Sequence, residues 1–156
     1  MTERPVPEPN CPPRLRVNES VPMAYVADVD RSMEFYALLG FACDSRFSDA
    51  RGTNWGALST GRARLFLSRA SGRVVAPDQA VLFYMYSADV HGLRAHLLAA
   101  GVPDAGPIPW EAHGTPKPVP PGATVFEVAP RFYMPEGELR IHDPDGYVIL
   151  VGQRGC

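Results

Sequence analysis

Two segments of this 156-residue chain, 61 positions apart, carry the same pattern. Residues 28–41 align without a gap with residues 89–102. In each segment an Asp-Val pair follows a hydrophobic stretch, a helical pattern of about three turns comes next, and a glycine marks the helix end. A repeat of this length indicates two copies of one supersecondary unit in a single domain. Two such halves, each with a small curved sheet, are expected to enclose a cleft.

Composition is that of an ordinary globular domain and excludes several classes of function. The chain is 46% hydrophobic and 21% charged, which is typical of a soluble domain. A net charge of -2, without a basic run, argues against a nucleic-acid or membrane-surface partner. No apolar stretch approaches the roughly 20 residues of a membrane span, and residues 1–20 lack the apolar run of a signal peptide. We therefore expect a cytoplasmic protein.

The three cysteines are expected to be free thiols. Cys11, Cys43 and Cys156 show no metal-binding spacing, and their odd number argues against a disulfide framework.

Hydrophobic periodicity predicts the element order βαβββ twice, within one domain at 21–156. Residues 1–20 hold five prolines and are predicted to form an extended arm, with a disordered tail as the alternative. The modules span 21–69 and 80–152. A proline-rich loop at 107–121, which contains Trp110 and His113, interrupts the second. The predicted elements are strands at 21–27, 41–47, 54–60 and 63–69 with a helix at 30–39, then strands at 80–87, 104–108, 124–132, 138–142 and 147–152 with a helix at about 90–100.

Two motifs carry a resemblance to a known family. One is the segment 28–41, and the other is Gly-Glu-Leu-Arg-Ile-His-Asp-Pro-Asp-Gly-Tyr-Val-Ile-Leu-Val-Gly-Gln at 137–153. With the element order, they make roughly residues 21–153 resemble the vicinal-oxygen-chelate superfamily, which includes glyoxalase I, extradiol dioxygenases, fosfomycin-resistance transferases and bleomycin-resistance proteins. The resemblance implies an α+β fold of two tandem βαβββ modules that form a curved mixed sheet around a cleft. Because one fold hosts many chemistries, the site must decide the function.

The resemblance also locates the positions at which enzymes of this superfamily hold a divalent ion. Here those positions are Val21, Leu65, Leu82 and Leu150, whose side chains have no lone pair to donate. We therefore expect neither a metal nor another cofactor. A shift of one residue supplies no ligand either, since it gives Pro22, Phe66, Phe83 and Val151.

Side-chain alternation along the strands predicts which residues line the cleft. The expected lining is apolar and aromatic with one polar cluster, which suits a flat organic ligand. The alternative is that Tyr84 and Tyr86 belong to the core between two sheets. The predicted ligand-binding residues are Met23, Tyr25, Leu65, Leu67, Leu82, Tyr84, Tyr86 and Leu150, the polar Glu138, Arg140 and His142, and Trp55, Trp110 and Phe132 at the mouth. Tyr133 is a further candidate at the mouth.

The absent ligands make the metal-free bleomycin-resistance proteins the most similar branch of the superfamily. The resemblance implies a homodimer that sequesters a small aromatic natural product, an antibiotic, in a cleft within one chain or across the dimer. One alternative is an enzyme in which Glu138, Arg140 and His142 carry out acid–base catalysis. Another is a metalloenzyme with atypical ligands, drawn from His113, Glu136, Glu138 and His142.

Overall fold

The computed structural model describes residues 8, 10–17, 19–79, 81–108 and 121–155, and within them the two predicted modules are confirmed. The first module consists of β1 (Met23–Val26), α1 (Val29–Leu38), β2 (Ala42–Asp49), β3 (Gly52–Thr60) and β4 (Ala63–Arg69). The second consists of β5 (Leu82–Ser87), α2 (Val90–Ala99), β6 (Asp104–Gly106), β7 (Thr124–Phe126), β8 (Ala129–Arg131), β9 (Met134–His142) and β10 (Val148–Gln153).

The two helices begin and end in the same way, which is the structural basis of the sequence repeat. Asp28 accepts a hydrogen bond from the backbone N–H three residues further on at 3.0 Å, and Asp89 does the same at 2.8 Å. Each carboxylate thereby satisfies a backbone donor of the first helical turn. Gly40 and Gly101 follow the helix ends with φ of +91° and +90°, a backbone conformation that glycine adopts without strain.

Each module forms one mixed sheet, and its first strand lies at the sheet edge. The first sheet has the order β1-β4-β3-β2, with β1 parallel to β4. The second has the order β5-β10-β9-β7-β6, with β5 parallel to β10 and with β8 also paired to β9. One face of each sheet contributes to a shared core beneath the helices, in which Tyr36, Leu97, Leu139 and Ile141 are fully buried.

The single strand predicted at 124–132 is wrong, because β7 and β8 divide that stretch. The Glu127 N–H donates to the Gly106 carbonyl of β6 at 2.9 Å, so the chain turns away from β9 between the two strands. The pairing register with β9 also changes there, from Val125 opposite Ile141 to Ala129 opposite Glu138. The second module is therefore an elaborated copy of the first.

The turn between β9 and β10 joins the two modules. The Tyr36 hydroxyl of α1 donates to Asp143 Oδ2 at 2.9 Å, and both residues are buried. Asp145 accepts hydrogen bonds from the Ala27 N–H at 3.1 Å and from the Arg31 guanidinium at 3.2 Å. One turn of the second module thus holds the strand end and the helix of the first.

Several sequence predictions lie outside the described residues: Trp110 and His113 in the loop, Cys156, and residues 1–7, 9 and 18 of the arm. Within the described ranges, Cys11 and Cys43 are free thiols. No helix in those ranges has the length and apolarity required to cross a membrane. The domain boundaries and the role of the arm stay predictions.

We expect the free energy of unfolding to fall as the pH rises through about 6. Burial raises the pKa of Asp143 to about 6, even though its carboxyl accepts hydrogen bonds from Tyr36 and from the backbone of Asp145 and Tyr147. The folded protein therefore favours the protonated acid, and ionisation between about pH 4 and pH 6 costs up to about 3 kcal/mol. Urea unfolding from pH 4.5 to 7.5 measures this loss.

Asp143→Asn removes the titrating group and should flatten that part of the pH profile. Asp78→Asn is the matched control, because Asp78 is exposed on the connector between the modules. If the free energy of unfolding fell equally with pH in the wild type and in Asp143→Asn, Asp143 would not be the group responsible.

Candidate functional site

The face of the second sheet opposite the core carries three rows of side chains across β5, β10 and β9. The register places Leu82 beside Val148 and His142, Tyr84 beside Leu150 and Arg140, and Tyr86 beside Gly152 and Glu138. Residues between these rows, among them Ile141, Ile149 and Val151, point into the core. Alternation thus places the predicted residues of this sheet on one face, which we call the open face.

The aromatic residues of the open face are exposed, so the alternative that they form core is wrong. Leu82 is 63% exposed, Tyr84 41% and Tyr86 54%. The two tyrosine rings lie 5.3 Å apart, and the Arg154 guanidinium lies 4.6 Å from the centre of the Tyr86 ring. Exposed contiguous apolar surface of this kind marks a surface that binds a partner or a ligand.

Glu138 is the exception on this face because it is 3% exposed. Its carboxyl accepts hydrogen bonds from the Tyr84 hydroxyl at 2.8 Å and the Tyr133 hydroxyl at 3.2 Å, and it forms an ion pair with Arg131 at 3.5 Å. The pKa of both tyrosines is raised. The larger cause is their loss of contact with water, and the second is the hydrogen bond to the Glu138 carboxyl. These partners compensate the burial of the carboxyl group.

Gly152 provides the space for this cluster. A Cβ at this position would lie 2.6 Å from Met134 Cε and 3.0 Å from the Tyr84 hydroxyl oxygen. Any larger residue would push the Tyr84 hydroxyl away from the neighbouring Glu138.

Arg140 and His142 form a second polar pair, separate from Glu138. The Arg140 Nε–H donates to His142 Nε2 at 3.1 Å. Both side chains contact Phe126, since the imidazole lies edge-on at 5.1 Å and the guanidinium is 5.6 Å from the ring centre. Burial lowers the pKa of His142 to about 4, and the positive charge of Arg140 adds to this effect. At neutral pH the imidazole is therefore neutral, with its proton on Nδ1.

This geometry does not assemble the predicted acid–base trio. Glu138 contacts Tyr84, Tyr133 and Arg131, whereas His142 contacts Arg140 and Phe126. A neutral imidazole with a lowered pKa is also a weak base. Glu138 and His142 share a sheet face without forming a proton-transfer pair.

In the first sheet, the prediction that Leu65 and Leu67 line the cleft is wrong for Leu67, and Leu65 only borders a cavity beside β5. Leu65 and Leu67 are 1% and 0% exposed and belong to the core. The parallel pairing of β1 with β4 sets Met23 beside Phe66, so the leucines on either side of Phe66 point to the opposite face.

The prediction placed Leu65 four residues after Gly61, as Leu150 lies four residues after Gly146. This correspondence failed because β3 and β4 are joined by two residues, whereas β9 and β10 are joined by five, 143–147.

The other predicted residues of the first sheet lie where alternation expects them. Met23 and Tyr25 are exposed, and Trp55 pairs across the sheet with Ser68, the residue opposite Tyr25. Trp55 lines a separate pocket of about 570 Å³ with Asp49 and Arg69 rather than the surface around Tyr84. Phe132, predicted at the mouth, is 97% exposed.

A groove runs along the free edge of β5, and three adjoining cavities of about 540, 290 and 550 Å³ form it. The first lies against Leu82, Val148 and His142. The second shares Leu82 with the first, and it shares Tyr84 and Met85 with the third. We call this continuous depression the β5 groove. Its walls come from the second sheet and from the start of β4.

The architecture matches solved structures at low sequence identity. A bleomycin-binding protein from bleomycin-producing Streptomyces verticillus, complexed with copper(II)-bleomycin, has a TM-score of 0.61 and 20% identity over 90% of this chain and 98% of that chain. The fosfomycin resistance protein FosX from Listeria monocytogenes has a TM-score of 0.60 and 9% identity, covering 88% and 93% of the two chains. The chain has the vicinal-oxygen-chelate fold.

A third solved structure adds a different antibiotic binder with this fold. TnmS3, an antibiotic binding protein from Streptomyces sp. CB03234, has a TM-score of 0.53 and 20% identity over 87% of this chain and 95% of that chain. Neither a family model nor a curated protein sequence matches the chain.

The positions that hold a divalent ion in metalloproteins with the vicinal-oxygen-chelate fold do not fit one here. Leu82 and Leu150 lie on the open face, where a ligand would point, but a hydrocarbon side chain donates no electron pair. Leu65 is buried, and its half-buried neighbour Phe66 lies on the face that Met23 shares. Within the described ranges, no three His, Cys, Asp or Glu side chains come together as a metal site.

Sequence reasoning placed Tyr133 at the mouth of the cleft rather than at Glu138, and it missed Arg131 and Gly152, which complete the Glu138 cluster. The available signal was the pairing of Glu138 with Gly152 across the strand, because a glycine opposite a charged residue leaves room for a neighbouring side chain.

We expect Tyr84→Phe to lower the free energy of unfolding by about 1–3 kcal/mol, because the buried Glu138 carboxyl loses its shortest hydrogen bond. Urea unfolding measures the loss. Tyr25→Phe is the control, since the exposed Tyr25 hydroxyl makes no side-chain hydrogen bond with a described residue, and it should change stability by less than about 0.5 kcal/mol. Equal effects of the two substitutions would show that Tyr84 does not support Glu138.

Proposed function

We propose that this protein binds a small aromatic natural product, an antibiotic, and sequesters it without chemical change. The observation that carries the proposal is the open face, on which Leu82, Tyr84 and Tyr86 stay exposed beside a groove. Aromatic and aliphatic walls with a few polar groups are typical of a small-molecule site. The residues proposed to contact the ligand in this sheet are Leu82, Tyr84, Tyr86, Glu138, Arg140, His142 and Leu150.

Proteins of similar fold support this proposal. Two of them are a bleomycin-binding protein and an antibiotic binding protein, although each is about 20% identical to this chain. At that identity the likeness concerns the fold, and the ligand must be argued from this chain's own surface.

The proposal includes binding without a metal ion. Its support is chemical, because Leu82 and Leu150 occupy open-face positions at which a metalloprotein of this fold needs electron-pair donors. Sequestration without turnover is supported by the separation of Glu138 from His142, which leaves no acid–base pair on the open face. A cytoplasmic location is part of the proposal, supported by the free thiols Cys11 and Cys43.

We also propose that two copies associate. Both sheets present exposed apolar side chains on the face opposite the core: Met23 and Tyr25 in the first sheet, and Leu82 and Tyr86 in the second. Burial of such side chains between two chains contributes about 25 cal/mol per Å². A homodimer that covers both faces also creates a deeper cleft for the ligand.

A thermal-shift screen against aromatic and DNA-damaging antibiotics tests the binding proposal. A compound at about 100 times its dissociation constant should stabilise the protein by roughly 2.7 kcal/mol, with or without added divalent metal. Leu82→Glu should abolish the shift. Leu15→Glu should preserve it, and it is the matched control because Leu15 is also 63% exposed but lies in the arm.

Mass spectrometry of the released compound separates sequestration from catalysis. Unchanged compound at a one-to-one ratio with the site supports sequestration. Turnover would contradict it, and a shift caused by a metal ion alone would contradict metal-independent binding.

Sedimentation velocity tests the dimer. We expect twice the mass of one chain at micromolar concentration, and a shift toward the monomer in Met23→Glu, because a charge at an exposed apolar position opposes its burial. Val17→Glu, an exposed position in the arm, should leave the mass unchanged. A monomer at every concentration would contradict association.

A further inference from the structure

The β5 groove carries positive charge only, as far as its described lining shows. Arg140 lines the first cavity, Arg64 the second and Arg62 the third. None of the described residues around the three cavities is an aspartate or a glutamate. This sign contrasts with the whole chain, whose net charge is -2.

Glu138 and Glu19 contact residues of the groove, and each of them is paired with an arginine. Glu138 shares the open face, but it is buried beneath Tyr84 and Tyr133 and paired with Arg131. Glu19 forms an ion pair with Arg64 at an exposed position, where water screens the charges.

The end of the groove at Arg140 and His142 offers hydrogen-bond donors in an apolar surrounding. His142 Nε2 is occupied by Arg140, so the neutral ring presents the N–H of Nδ1. Leu82 and Val148 line the same cavity, and Arg140 is partly buried against Phe126. In such a setting an anion gains more from a guanidinium and an N–H donor than it does in bulk water.

We propose that the ligand of the β5 groove is an anionic aromatic molecule, whose ring system lies on Leu82, Tyr84 and Tyr86 and whose acidic group lies at Arg140 and His142. This rests on the proposed function and names its ligand class. The acidic group is a carboxylate, a sulfate or an ionised phenol, and the site discriminates against a cationic group of the same size.

Three fluorescent probes that share one ring system and one tether test the proposal: 1-pyrenebutyrate, 1-pyrenebutanol and 1-pyrenebutylamine. Titrated at pH 7 and low salt, the carboxylate should bind at least about tenfold more tightly than the alcohol, and the amine more weakly than the alcohol. Added salt should reduce the advantage of the carboxylate.

Two arginine substitutions locate the effect. Arg140→Gln should reduce the advantage of the carboxylate over the alcohol to less than about threefold. Because this substitution also removes a contact to His142, Arg62→Gln provides a second test at the other end of the groove, where it should weaken the carboxylate by about two- to threefold and spare the alcohol. Arg73→Gln, an exposed position that lines none of the three cavities, should change neither affinity.

The outcomes distinguish this inference from the proposed function. Equal affinities for the three probes, or preference for the amine, would overturn the anionic ligand and leave aromatic binding intact. Failure of all three probes to bind, together with a thermal-shift screen without a hit, would overturn both.

Discussion

The fold depends on one buried acceptor, Asp143. It lies in the turn of the second module and receives the Tyr36 hydroxyl of the first, while its second carboxyl oxygen holds the backbone of its own turn. Because Tyr36 is fully buried, this hydrogen bond fixes α1 against the second module at one point. Asp145 in the same turn fixes the end of β1 through Ala27. The relative position of the two sheets therefore follows from a turn, and the groove between β4 and β5 follows from that position.

Because these hydrogen bonds hold the two modules together, the repeated units form one domain without burying both faces of their sheets. The core takes one face of each sheet, and the helices cover it. The opposite face of the second sheet stays exposed at Leu82, Tyr84 and Tyr86. Apart from the hydrogen bond of Tyr84 to Glu138, these exposed side chains add little to the stability of a single domain, which supports the proposal that they bind a ligand.

The sequence predicted the parts of this structure that local rules determine. The Asp-Val pairs that begin at Asp28 and Asp89 precede both predicted helices, and alternation in β5, β9 and β10 places the open face correctly. It failed at Leu65, because the face of β4 depends on which residue of β1 it meets, a long-range pairing that no local pattern encodes. It also missed the partners of Glu138, since Tyr133 reaches that carboxyl only after β8 folds back onto β9.

The arrangement of charges on the open face argues against inheritance of a catalytic role from the fold. A proton-transfer pair needs an acid and a base with a shared path, yet Glu138 is enclosed by two hydroxyls and a guanidinium. The neighbouring His142 is held neutral by burial and by Arg140, so it serves as a donor rather than a base. Because Glu138 is buried and paired with Arg131, it contributes no exposed negative charge, and arginines line the groove. The proposed site would therefore orient a bound anion through the Arg140 guanidinium and the His142 N–H, without a base that accepts a proton from it.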